Sequence, residues 1–122
     1  MVKGVLIGES LRIGAELVGV PLQVTRLWRT EVASATSGQP KQWTLMEFEA
    51  EEHEADRLAA AFAKCLAPTG GWYINYNTTD EAFVVFADHV VRYPRGDAAG
   101  RSRAQEHARS IGVPEPQLDW ED

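Results

Sequence analysis

Apolar and polar positions along the chain predict eight elements in the order β, β, β, α, β, β, β, α. Lys3–Gly8 is a short run of Val, Leu and Ile, and Glu9–Gly19 has no period and reads as an irregular connection. Leu22, Val24 and Trp28 then alternate with Gln23, Thr25 and Arg29, which predicts a strand with one buried face. Arg26 breaks the apolar side and Leu27 the polar side, so a bulge is expected there. Ala33–Pro40, rich in Ser, Thr, Gly and Pro, is a loop. In the strand Gln42–Ala50, Trp43 and Leu45 share a side with Glu47 and Glu49, while Thr44, Met46, Phe48 and Ala50 share the other.

The period then changes to helical. Ala55, Leu58, Ala59, Phe62, Cys65 and Leu66 form a stripe within a helix over Glu52–Leu66, ended by Pro68, Gly70 and Gly71. Trp72–Thr78 alternates again, Asn77–Glu81 is turn-like, and Ala82–Ala87 is an almost wholly apolar strand, so the two form a hairpin. Asp88-His89 leads into Val90–Tyr93, and Pro94 ends it. Asp97 is placed to cap a second helix over Ala98–Ile111, with Gly112 as its stop and a thin stripe of Ala104, Ala108 and Ile111. Short loops between strands imply a mostly antiparallel sheet. The fold class is α+β with two helices on one face, and its β-β-α-β-β-α part resembles a ferredoxin-like sandwich in shifted order. The 122 residues form a single domain, 1–122, with 113–122 as an acidic C-terminal tail.

Composition narrows the setting. Cys65 is the only cysteine, which excludes an intramolecular disulfide, and no targeting or membrane-spanning run is visible. A reducing cytoplasm is the expected address. A net charge of −6 opposes a nucleic-acid coat or an anionic membrane as partner. The charge is also unevenly spread. Glu47, Glu49, Glu51, Glu52, Glu54 and Asp56 fall in a stretch without Lys or Arg, whereas Arg92, Arg95, Arg101, Arg103 and Arg109 face only Asp97 and Glu106 in theirs.

Candidate chemistry is sparse. Cys65 sits in an apolar run and reads as a buried hydrophobe. His53, His89 and His107 lack metal-ligand spacing, the glycines match neither nucleotide fingerprint, and no serine lies in a nucleophile elbow, so no metal or cofactor is expected. Arg92 and Arg95 end a strand, and Arg101 follows on the second helix, a combination that makes an anion site near the helix start. Asp97 counts against it, because its carboxylate would occupy the same N–H groups. Trp28, Trp43 and Trp72 lie on apolar strand sides and are expected in the core. Leu118 and Trp120 stand apart in the acidic tail, either docked on the domain or anchoring a partner.

The runs Leu6-Ile7-Gly8-Glu9-Ser10-Leu11-Arg12, Tyr93-Pro94-Arg95-Gly96-Asp97 and Gly112-Val113-Pro114 with Gln117-Leu118-Asp119-Trp120 resemble a group of short, uncharacterised bacterial proteins that share this layout nearly end to end. The resemblance implies a complete small protein and brings no activity or cofactor with it. The expected function is a non-catalytic binding or regulatory module acting through protein contacts, as a homodimer or with a protein partner. The alternative is a small anion-ligand-binding protein or enzyme using the Arg92/Arg95 corner.

Overall fold

The computed structural model describes residues 1–122. Strands β1 (Val2–Ile7), β2 (Gln23–Glu31) and β3 (Gln42–Ala50) pair antiparallel in the order β1-β3-β2. Strands β4 (Ile74–Asn77), β5 (Glu81–Phe86) and β6 (His89–Pro94) make a second antiparallel sheet in chain order. Helix α1 (Ala55–Cys65) links the sheets, and helix α2 (Ala98–Ser110) follows the second. A bulge falls next to the expected break, one residue before Arg26: Val24 faces Phe48 and Arg26 faces Glu47, leaving Thr25 without an opposite residue.

The sheets meet where β1 backs onto β4. Gly4 makes this approach feasible, since a Cβ there would lie 2.7 Å from the Phe48 ring and 3.1 Å from the Asn75 carbonyl oxygen. Val2, Leu6, Phe48, Leu58, Phe62, Tyr76, Phe83 and Val85 form one core between the sheets and α1. Inside it the Tyr76 hydroxyl donates to the Ala55 carbonyl at 2.7 Å, satisfying the one polar atom those rings carry inward.

A second core contains Ala82, Val84 and Phe86 of β5, Tyr93 of β6, Ala104 and Ala108 of α2, and Val113, Leu118 and Trp120. Successive strand residues point to opposite faces. Phe83 and Val85 therefore meet α1 on one face, while Ala82, Val84 and Phe86 meet α2 on the other. The α+β class and the antiparallel pairing stand, but the expectation of one sheet with both helices on one face does not. Burial on two sides explains why Ala82–Phe86 is apolar throughout. Gly100 sets the depth of α2, because a Cβ there would sit 2.3 Å from Tyr93 Cβ. Asp97 precedes α2 but makes no side-chain cap hydrogen bond.

Strand β2 also departs from expectation. Its alternation predicts a buried face, yet it is an edge strand exposed along nearly its whole length. Val24 and Leu27 are 49% and 64% exposed, and Trp28 is only half-buried, so it does not join Trp43 and Trp72 in the interior.

Candidate functional site: the open side of the first sheet

The β1-β3-β2 sheet has one face on the first core, through Val2, Leu6 and Phe48. Neither α1 nor α2 covers its other face, whose apolar end is walled by Trp72, Tyr73 and the tail at Pro116 and Gln117, and the register of the strands arranges that face in rows. Ile7, Leu45 and Trp28 stand side by side across the three strands and form an apolar row. The next row is Val5, Glu47 and Arg26, and the third is Lys3, Glu49 and Gln23. The surface therefore grades from apolar at one end to alternating charge at the other.

Local contacts fix these side chains. The Arg26 guanidinium lies 4.0 Å from the centre of the Trp28 ring, a cation–π contact within one strand face. Thr25, freed by the bulge, donates its hydroxyl to Glu47 Oε1 at 3.0 Å, and Lys3 Nζ lies 3.6 Å from Glu49. At the apolar end, Trp43 and Trp72 pack edge to face at 5.2 Å, and Trp43 Nε1 donates to the Pro40 carbonyl at 2.8 Å. Beside them lies a groove of about 300 Å³ lined by Val5, Ile7, Leu45 and Tyr73 and bordered by the tail at Pro116. Glu9, at the end of β1, accepts from the backbone N–H and hydroxyl of Thr44 at 2.5 and 2.9 Å. Its burial alone would raise its pKa, but those two donors and Arg29 outweigh this and hold the carboxyl below its ordinary range.

The three arginines singled out in the sequence are held by three different sets of partners. Arg92 makes a two-pronged contact with Glu81 at 3.0 and 2.7 Å, also reaches Asp56, and lies over the Phe83 ring. The hydrogen bonds from Arg92 lower the Glu81 pKa. Arg101 reaches across to the tail, to Asp122 at 2.7 Å and to the Trp120 carbonyl at 2.5 Å. Arg95 points toward the Thr78 and Thr79 carbonyls and borders a polar depression of about 450 Å³ shared with Lys3, Asn75, Asn77, Glu52 and Glu121. Arg92 thus lies on the α1 side of the second sheet and Arg101 on the α2 side, and no common anion cradle joins them.

Leu118 and Trp120 are buried, at 6% and 5% exposure. The tail is tied down along its length: Tyr73 donates its hydroxyl to the Gln117 carbonyl, and Gln117 Nε2 donates to the Ser34 carbonyl at 2.8 Å. The buried Gln39 closes the same knot by donating to the Gly70 carbonyl at 2.7 Å. Nothing in the local sequence marks Gln39 or Gln117, because their partners lie far away in the chain. Cys65 is buried, and its thiol lies 3.5 Å from the Glu16 carbonyl. His89 and His107 stack at 4.1 Å beside Phe86. No three His, Cys, Asp or Glu side chains converge to hold a metal ion.

No protein-family model, curated protein or solved structure matches the chain. No helix is long and apolar enough to cross a membrane.

Proposed function

We propose that this chain is a non-catalytic interaction module of the reducing cytoplasm, acting through protein contacts made by the open side of its β1-β3-β2 sheet. The observation that supports this reading is the Ile7–Leu45–Trp28 row, a half-buried apolar strip flanked by Arg26, Glu47, Glu49 and Lys3, with neither α1 nor α2 over it. An aromatic and aliphatic centre with a charged margin is the anatomy of a protein contact surface. The neighbouring residues are pinned to one another, so the surface is preformed and little ordering cost accompanies binding.

The test is a photo-reactive phenylalanine analogue placed at Leu45, with the exposed Glu106 on α2 as control. A discrete protein adduct from position 45, absent from position 106, supports the reading. Equal labelling at both positions, or none at either, contradicts it.

The anion-binding reading retains one supporting observation, Arg95 and Lys3 on the rim of a polar depression. Glu52 and Glu121 on the same rim oppose it. In that reading Arg95→Ala removes a phosphate-dependent thermal shift and Arg92→Ala, whose guanidinium is already paired, leaves it unchanged. Wild-type protein that shows no such shift eliminates the reading.

A further inference from the structure

The geometry points to a second copy of this chain as the occupant of the β2 edge, with the two β2 strands antiparallel about a two-fold axis at Trp28. This inference rests on the protein-contact reading above and names the partner. β2 is nine residues long and unpaired on its outer side, and a long exposed edge with apolar side chains is a template for strand addition. The other edges are less available: β1 and β4 back onto each other at Gly4, and β6 ends in Pro94.

The hydrogen-bond phase of β2 follows from its partner. The Val32 N–H donates to the Lys41 carbonyl at 2.8 Å, in the same register that pairs Thr30 with Trp43 and Trp28 with Leu45. In an antiparallel ladder only alternate residues direct their backbone groups to the partner. Thr30, Trp28 and Arg26 therefore bond inward, and Glu31, Arg29 and Leu27 direct their N–H and C=O groups to the open side. Thr44, opposite Arg29, confirms the phase, since its N–H is given to Glu9 on the other side of β3.

Only a few two-fold registers match outward groups to outward groups. Centring on Arg29 sets Arg29 against Arg29, a like-charge pair that opposes association. Centring on Leu27 brings the Thr25 bulge into the ladder two residues from the axis and cuts the flat pairing short; centring on Thr30 sets Arg29 against Glu31 but keeps only Arg29–Glu31 of each strand in register. Centring on Trp28 keeps Arg26–Thr30 flat. It sets Trp28 against Trp28, Leu27 against Arg29, and Arg26 against Thr30, with no like charges opposed. Trp28 then occupies a non-hydrogen-bonded pair, where side chains approach most closely. The two open faces become one surface whose apolar row runs through both copies.

The experiment has two readouts on the full chain. Light scattering at tens of micromolar gives twice the 13.5 kDa chain mass for wild type, and Leu27→Lys, which charges the edge outside the core, returns the mass to one chain with an unchanged melting profile. Mild oxidation of Trp28→Cys gives a covalent dimer, because Cβ atoms of such a pair lie about 4.5–5.5 Å apart, near the roughly 3.5–4.5 Å a disulfide spans. Because Trp28→Cys removes a packed ring, a mixture of Arg26→Cys and Thr30→Cys chains, which keeps Trp28, forms the same kind of dimer, while either chain alone does not. Cys65 is buried and stays out of the reaction. A one-chain mass for wild type overturns the inference. A dimer that forms neither disulfide overturns the strand pairing while leaving the contact reading intact, and that reading is decided separately by the labelling at Leu45 against Glu106.

Discussion

The Trp120 indole N–H donates to the Tyr93 hydroxyl at 3.0 Å, tying the C-terminal tail to the last strand of the second sheet. The ring packs edge to face on Tyr73 at 5.2 Å, and Arg101 covers its other side at 5.4 Å. Trp120→Ala therefore removes a buried ring and leaves the Tyr93 hydroxyl without its donor. We expect a loss of about 3–5 kcal/mol, with a melting temperature lowered by roughly 10–20 °C. Tyr93→Phe removes only the acceptor and costs about 1–3 kcal/mol. Thermal unfolding of the two variants checks both figures, and a Trp120→Ala protein that melts like wild type would show that the tail is not part of the core.

Gly100→Ala presents two opposed effects of known size. In an exposed helix interior, alanine stabilises by about 1 kcal/mol over glycine. Here its Cβ lands 2.3 Å from Tyr93 Cβ, and strand backbone cannot yield as a flexible side-chain end can. Overpacking of this kind costs about 1–3 kcal/mol, so the substitution destabilises. A denaturant midpoint that rises in Gly100→Ala contradicts the tight α2–β6 contact.

Stability should also fall in mild acid through His107. Burial first, and the stacked His89 second, hold its pKa below the ordinary 6.5. The unfolded chain then takes up the proton before the folded one, so the contribution is complete above about pH 6.5 and declines as pH falls below it. It levels off once the folded imidazole is also protonated. His107→Phe keeps an aromatic ring against Phe86 and removes the titration, so its melting temperature should vary less between neutral pH and the carboxylate range. An equal slope in variant and wild type would assign the acid sensitivity elsewhere.

Much of this architecture was legible in the chain, and the misses have physical causes. The stripe Leu58–Phe62–Cys65 and the order of elements follow from periodicity, and the bulge at Thr25 from a break in alternation. Alternation in β2 shows that one face is apolar and says nothing about what covers it, so an open edge reads like a buried strand. At β5 the unbroken run Ala82–Phe86 signals burial on two sides, and with it helices on opposite faces, which an expectation of both helices on one face overlooks. Arg92, Arg95 and Arg101 are close in sequence, yet Gly96, at a φ of 83°, turns the chain between strand and helix and sends their guanidinium groups to separate partners. The Ile7–Leu45–Trp28 row was hidden for a different reason, since it depends on the register of three strands.

The central claim, that the open sheet is completed by protein contact beginning with a second copy at β2, is tested most directly by amide hydrogen exchange along this strand. The inward N–H groups of Trp28 and Thr30 are protected in any state of association, because β3 holds them. The account predicts that Leu27 and Arg29, whose N–H groups point outward, exchange as slowly as their neighbours at high protein concentration and lose that protection on dilution. Free exchange of Leu27 and Arg29 at every concentration, beside protected Trp28 and Thr30, would contradict it.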